Sequence, residues 1–172
     1  MSSETITTAL FLIATVVAAA VLINAVFPVV SNMAGTFSST THESDVRMRT
    51  DFKIILTYAT TSDPGTADIY LKNIGTERIS ATEVPRWDVF FGKVGEFVRI
   101  PYGPSTGNGG WTEVFDGDTS YDINGNHFWD PGETVKITVV TKNTVSLAKY
   151  DLVYFQISLP NGIWRSNEFT VS

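Results

Sequence analysis

A long stretch without charged side chains near the N-terminus constrains this chain more than any other feature. Residues 5–42 contain no Asp, Glu, Lys or Arg, and Glu4 is the only charged residue before them. Within that stretch, Ala9–Val30 is apolar except for Thr15 and Asn24. As a helix rising about 1.5 Å per residue it would be about 33 Å long, close to the roughly 30 Å hydrocarbon core of a bilayer. The sequence therefore predicts a membrane-anchor helix over residues 1–30.

A cleaved secretory signal is the main alternative to an uncleaved anchor. Such signals carry a basic segment, a shorter apolar run and small residues at the cleavage site. Here no Lys or Arg precedes the apolar run and the run is long, although Ala18-Ala19-Ala20 imitates a cleavage site. We therefore expect the anchor to remain uncleaved.

Two features of the N-terminal third leave alternatives open. Ala14 and Ala18 lie at helical spacing with other small residues, which would let a second helix approach closely in a membrane. The alternative is that these alanines have no packing role, because alanine is common in membrane helices in general. Residues 31–50 begin with the small, polar, uncharged segment Ser31–Thr41, which is either a flexible stalk or a continuation of the helix.

From residue 51 onward the pattern changes to short β-branched and aromatic runs separated by Gly, Pro, Asn and Asp, which indicates strands. Several runs alternate between apolar and polar residues, as expected of antiparallel sheets with one buried and one wetted face. The predicted strands are Phe52–Tyr58, Asp68–Asn73, Trp87–Phe91, Glu96–Ile100, Trp111–Phe115, Thr134–Val140, Leu152–Leu159 and Trp164–Val171. About eight strands in residues 51–172 predict an all-β, immunoglobulin-like sandwich.

One loop in this domain has the ligand spacing of an EF-hand-type calcium loop. Counting from Asp122 as position 1, oxygen ligands would come from Asp122, Asn124, Asn126, Asp130 and Glu133, with the backbone carbonyl of Phe128 at position 7. The flanks are strand-like, and position 6 is His127 instead of the usual Gly. We predict bound Ca²⁺; the alternative is an Asn/Gly-rich turn whose side chains cap their own backbone.

The acids around this loop and the bases after the apolar helix both indicate which side of the membrane the domain occupies. Six acids and no base lie between Arg99 and Lys136, an imbalance that a cation would relieve. Arg47, Arg49 and Lys53 follow the apolar helix, and the positive-inside rule would place the domain in the cytoplasm. Acids interleave with these bases, and a loose calcium site suits an exported domain. We therefore expect an extracytoplasmic domain.

Composition excludes several classes of function. The chain has no cysteine, two histidines and a net charge of -6 with scattered bases. These values argue against disulfide or zinc scaffolds, thiol catalysis and nucleic-acid binding. Because no catalytic motif or small-molecule site is recognisable either, we expect a non-enzymatic protein.

The closing strand is the predicted assembly edge. It ends the chain, and edge strands have unpaired backbone groups that are either blocked or used for pairing. Trp164, Phe169 and Val171 are apolar residues that could pack there, whereas Arg165 and Glu168 could block it.

The whole plan resembles the archaellin and type IV pilin-like superfamily of archaea. The resemblance rests on Glu4-Thr5-Ile6, the apolar run, Leu71-Lys72-Asn73-Ile74-Gly75, Tyr150-Asp151-Leu152-Val153-Tyr154-Phe155 and Leu159-Pro160-Asn161-Gly162-Ile163-Trp164-Arg165-Ser166. The last two segments are most similar to the archaellar accessory protein G family. Only Met1-Ser2-Ser3 precedes Glu4, without the basic leader of filament subunits, and this favours an accessory protein.

The resemblance implies a stator role in archaeal motility. An accessory protein of this type is expected to be anchored in the cell membrane and to give the rotating filament something fixed to turn against. Expected partners are a sister accessory protein, the surface layer or the filament, and further copies of the same chain. A filament subunit is the runner-up function, and an unrelated tethered calcium-binding adhesion domain is the third.

Overall fold

The computed structural model describes residues 2–61, 65–104, 109–114, 121–142 and 145–172, without the side chains of residues 2, 38 and 39. It divides into two compact units, Met1–Ser44 and Asp45–Ser172. The first unit is helical and the second contains the β-sheets.

A single α-helix, α1, spans Ser2–Arg49 and so continues through the segment 31–41. The threonine hydroxyls of that segment donate back into the helix. Thr36 Oγ1 donates to the Asn32 carbonyl and Thr40 Oγ1 to the Thr36 carbonyl, each at 2.9 Å. The helix is long and apolar enough to cross a membrane by length and composition, and its described side chains are exposed in this unit.

The second unit is a sandwich of two four-stranded antiparallel sheets with a short third pair. Its elements are β1 (Phe52–Thr60), β2 (Gly65–Asn73), β3 (Ile79–Ser80), a 3-10 helix (Ala81–Arg86), β4 (Asp88–Lys93), β5 (Glu96–Ile100), β6 (Gly110–Val114), β7 (Phe128–Trp129), β8 (Thr134–Thr141), β9 (Leu152–Ser158) and β10 (Trp164–Thr170). The first sheet has the order β1-β2-β8-β6, the second β10-β9-β4-β5, and β3 pairs with β7.

The sequence prediction of eight strands is confirmed, with strand ends shifted by at most three residues. Phe115, the predicted end of the fifth strand, lies outside the described residues. The short strands β3 and β7 were not predicted, because two residues carry no periodicity.

The core lies between the two sheets, as the alternating pattern predicts. On β8, Val135, Ile137 and Val139 are fully buried, and β9 buries Val153 and Phe155 from the opposite sheet. At one end, three buried tryptophans form a cluster: Trp87 lies 6.5 Å from Trp111 and 5.7 Å from Trp129, ring centroid to centroid. Every buried apolar side chain among the described residues follows position 50.

The last turn of α1 is tied to the loop after β2 within the second unit. The Arg49 carbonyl accepts the amides of Thr76 and Glu77 at 2.8 and 3.1 Å, and the Asp51 carbonyl accepts the Gly75 amide at 2.8 Å. The bonds to Arg49 satisfy a carbonyl that the helix end leaves without an intrahelical partner. The chain therefore enters β1 through a fixed junction.

Candidate assembly surfaces and the acidic loop

The loop Asp122–Glu133, called here the acidic loop, is organised around two buried carboxylates. Asp122 is 1% exposed; its Oδ1 accepts the amides of Gly125 and Asn126 at 2.8 and 3.2 Å, and its Oδ2 accepts the His127 amide at 3.0 Å. These bonds wrap the loop around one side chain. His127 has a φ of 63°, so the left-handed turn expected at position 6 is present without glycine.

Glu133 closes the same loop from its other end. Its Oε1 accepts the Ile123 amide at 3.0 Å, and its Oε2 accepts the Asp130 amide at 2.9 Å. Asp130 Oδ2 in turn accepts the side-chain amides of Asn124 and Asn126, both at 2.7 Å. All the side chains predicted to be ligands thus meet in one network, together with the backbone of Phe128, whose amide donates to Asn126 Oδ1 at 2.9 Å.

This arrangement is that of a self-capped turn, the alternative that the sequence also allowed. Calcium needs six to eight oxygens directed at one point, whereas the oxygens of Asp122 and Glu133 point at amide hydrogens, and both asparagines present NH₂ groups to Asp130. In the part of the chain that the structure describes, no group of three or more His, Cys, Asp or Glu could hold a metal ion. Asp116 and Asp118, which added to the acidic charge, lie outside the described residues. Calcium binding stays a prediction.

The closing strand β10 offers less surface than its sequence suggested. Trp164 is 54% exposed, but Val171 is 1% exposed and part of the core. Phe169 packs against the core, its ring centroid 6.4 Å from that of Phe91. Val171 is therefore a core residue and not the interface residue expected, and Phe169 is partly buried against the core, because both alternate onto the inner face of the sheet.

Two side chains of β10 bind β1 and the residue before it. Arg165 donates from Nε to the Phe52 carbonyl at 3.1 Å, its Nη2 pairs with Asp51 Oδ1, and its guanidinium lies over the Phe52 ring. Further along, Asn167 Nδ2 donates to Thr57 Oγ1 at 3.4 Å. Arg165, interpreted from sequence as a charge that could block the edge, binds the start of β1 and the residue before it.

The small residues Ala14 and Ala18 lie four positions apart on α1 and are exposed, as are the other described side chains of the first unit. They form a narrow, smooth strip on which another helix could pack.

Sequence reasoning missed two exposed apolar groups on edge strands. Ile55, Leu56 and Tyr58 lie on β1, where a bulge between Ile54 and Leu56 interrupts the alternation. Phe97 and Val98 on β5 are 46% and 39% exposed. The run Phe97-Val98 was the available signal, because two adjacent apolar residues cannot both face the core of a sheet.

Comparison with known proteins places the chain in a family. The sequence model of archaeal-type flagellins matches residues 2–169. The chain belongs to the archaeal-type flagellin family. An uncharacterized protein of Archaeoglobus fulgidus is 30% identical over 173 residues, which are 98% of this chain and 98% of that protein. The family resemblance drawn from sequence is thereby confirmed.

Solved structures of archaellum proteins share the fold. The archaellum periplasmic stator protein FlaG from Sulfolobus acidocaldarius is 27% identical with a TM-score of 0.53, covering 70% of this chain and 99% of that one. The archaellum periplasmic stator protein complex of FlaF and FlaG from the same organism also matches, with 26% identity and a TM-score of 0.52. This match covers 69% of the present chain and 87% of the matched chain.

A filament structure also matches. The archaeal flagellum of Methanospirillum hungatei strain JF1 is 17% identical with a TM-score of 0.56, and the match covers 92% of this chain and 91% of that one. At this identity the likeness shows the fold alone. The flagellin-type chain described here therefore combines an apolar N-terminal helix capable of membrane anchoring with an archaellum-type β-sandwich.

Proposed function

We propose that this protein is a non-enzymatic, stator-type component of the archaellum. In this role α1 stays in the cell membrane, and the sandwich lies on the extracytoplasmic side and resists the torque of the filament. The supporting observation is the 27% identity to the stator protein FlaG over 99% of that chain.

The chemistry of the chain agrees with a mechanical role. A stator needs a helix that stays in the lipid and a sandwich that remains firmly joined to that helix under load. The apolar run of α1 is about 33 Å long and suits the first need. The bonds that join residues 49 and 51 to the loop after β2 suit the second. Expected partners are a sister accessory protein of the FlaF kind and the surface layer or the filament.

A filament subunit is the second candidate. The match to the filament structure extends over 92% of this chain. In a filament, α1 would pack against other helices, and the Ala14 and Ala18 strip would lie between them. The third candidate, a tethered calcium-binding adhesion domain, has no support from the contacts of the acidic loop.

Fractionation of cells separates the two leading candidates. Filaments are sheared from the cells, the membranes are extracted with detergent, and the chain is quantified in each fraction by mass spectrometry. A stator component remains in the membrane fraction at low copy number. If the chain is instead the main protein of the sheared filaments, the stator proposal is wrong and the filament role replaces it.

A further inference from the structure

A shallow cleft lies between the last turn of α1 and the start of β10, within the second unit. Its volume is about 490 Å³, which is in the range of small-ligand sites. The residues that line it are Arg47, Gly162, Ile163, Trp164, Arg165 and Ser166. Two of the six are basic and none is acidic, so the lining favours an anion.

The Arg47 guanidinium is the charged group of the cleft that has no partner within the protein. Arg165 pairs with Asp51, whereas the Arg47 guanidinium forms no hydrogen bond or ion pair with any residue that the structure describes. It lies against the turn before β10, since a Cβ at Gly162 would be 3.7 Å from Arg47 Nη2. A guanidinium presents its N–H donors in a planar fork that fits a carboxylate. Arg47 is therefore available to bind the carboxylate of a ligand.

Backbone donors of β10 lie next to this guanidinium. The Leu159 amide donates to the Ile163 carbonyl at 2.9 Å, so Ile163 and the odd-numbered residues that follow it bond to β9. The amides of Trp164 and Ser166 consequently point away from β9, at the edge of the second sheet. Together with the Ser166 hydroxyl, these amides can donate to the oxygens of a ligand that lies beside Arg47.

Trp164 gives the cleft a flat apolar surface. Its side chain is 54% exposed, whereas Trp87, Trp111 and Trp129 are each at most 1% exposed. An exposed indole suits a ligand that is apolar on one side and polar on the other, because the ring packs while its N–H donates. A pyranose ring is such a ligand, since it presents C–H groups on one face and hydroxyl groups at its rim.

We infer that this cleft binds an acidic sugar of the uronate class, with the sugar carboxylate on Arg47 and one face of its ring on Trp164. A guanidinium alone would accept any anion, and an indole alone would accept any apolar surface. A uronate combines the carboxylate and the C–H face in one small ligand, and so matches both side chains at once. The inference goes beyond the proposed function and holds for a stator or a filament subunit.

Nuclear magnetic resonance of the full chain tests the cleft, because Trp164 is the exposed member of the four tryptophans, all of which the structure describes. The protein is held in a polyoxyethylene detergent, whose headgroup has neither charge nor sugar, and titrated with sodium glucuronate. The indole N–H signal of Trp164, identified by its loss in Trp164→Phe, should shift saturably while the three buried indole signals stay in place. Glucose has the ring without the carboxylate and acetate has the carboxylate without the ring, so each should bind at least about tenfold more weakly.

A matched pair of arginine variants tests the carboxylate contact. Arg47→Gln removes the guanidinium from the cleft and should weaken glucuronate binding at least about tenfold. Arg86→Gln removes the same charge from an exposed residue outside the cleft and should leave binding unchanged. Unshifted buried indole signals verify that both variants are folded.

Three results would overturn the inference. The first is a Trp164 signal that glucuronate does not shift, and the second is equal binding by Arg47→Gln and Arg86→Gln. The third is acetate or glucose binding as tightly as glucuronate. Equal binding of acetate would mean that the cleft recognises a carboxylate alone, as an acidic side chain of another protein would present it.

Discussion

At the scale of single residues, the acidic loop shows how backbone amides satisfy two buried carboxylates. Burying an unpaired charge costs several kcal/mol, and charge-assisted hydrogen bonds offset that cost. Asp122 and Glu133 accept five backbone amides between them. The carboxylate oxygens accept amides from different parts of the loop and do not point at a common centre. The hydrogen bonds between the carboxylates and the backbone therefore hold the loop together.

Replacing the central carboxylate tests that account. Asp122→Asn keeps the shape of the side chain but exchanges an acceptor for an NH₂ group that faces an amide. We expect a loss of about 1–3 kcal/mol in the free energy of unfolding, measured by urea denaturation. The same exchange at Asp45, whose side chain is 53% exposed in a surface ion pair with Arg49, should cost less than about 1 kcal/mol. Equal losses at both positions would contradict the account.

Calcium gives a separate test, because the two interpretations of the loop predict opposite results. A calcium site would raise the melting temperature by several degrees in millimolar Ca²⁺, since binding at a hundredfold excess over Kd stabilises by about 2.7 kcal/mol. The observed bonds predict the same melting temperature in Ca²⁺ and in chelator. A rise in the natural chain that disappears in Glu133→Gln would establish the calcium site and refute the self-capped turn.

At the scale of elements, the junction between α1 and β1 depends on close backbone packing. A Cβ at Gly75 would lie 2.4 Å from the Arg49 carbonyl oxygen and 2.5 Å from the Asp51 amide nitrogen. Asn73 fixes the same loop: its Nδ2 donates to the carbonyls of Glu77 and Trp129, both at 2.9 Å. The loop therefore holds the helix end and the sandwich at one point.

Two Gly→Ala exchanges measure how much that junction contributes. Gly75→Ala should lower the free energy of unfolding of the sandwich by about 1–3 kcal/mol or more through overpacking. Gly35→Ala, in α1 with nothing within 4 Å of its new Cβ, should leave the sandwich unchanged and favour the helix by about 0.5–1 kcal/mol. Tryptophan fluorescence reports the sandwich because all four tryptophans follow residue 50. A Gly75→Ala chain as stable as the natural one would show that the loop relaxes freely.

At the scale of the whole molecule, the helix and the sandwich are suited to different solvents, lipid for the helix and water for the sandwich. The first unit exposes apolar side chains, as suits lipid, whereas the core of the described chain lies entirely within the second unit. The proposed function places the second unit outside the cytoplasm. The basic residues that follow the helix predict the opposite side by the positive-inside rule.

The absence of cysteine makes this topology measurable. Ile123→Cys, at a side chain that is 72% exposed in the acidic loop, should react with a membrane-impermeant maleimide in intact cells. Ser3→Cys, ahead of the apolar run, should react only after the cells are lysed. The reverse pattern would place the sandwich in the cytoplasm, where the positive-inside rule puts it.

Much of the fold was predictable because its signals are local. Charge-free residues predict a lipid-facing helix, and alternation on β8 and β9 predicts which residues are buried. The continuation of the helix through residues 31–41 was not decided by propensity. Threonine has a low helix propensity, yet the helix continues through Thr36 and Thr40, whose hydroxyls donate to the preceding turn.

The two-part plan, the eight main strands and the family are all recognisable in the amino-acid sequence, because hydrophobic period and charge are properties of neighbouring residues. The contacts of the edge strands and the groups that the acidic residues bind became visible only in the folded chain. Arg165 of β10 binds residues more than a hundred positions earlier, and Asp122 accepts backbone amides of its own loop. Ligand spacing specifies which oxygens are near each other, whereas their direction is set by the backbone around them. For the same reason, the exposure of Phe97 and Val98 follows from the position of β5 at the end of its sheet.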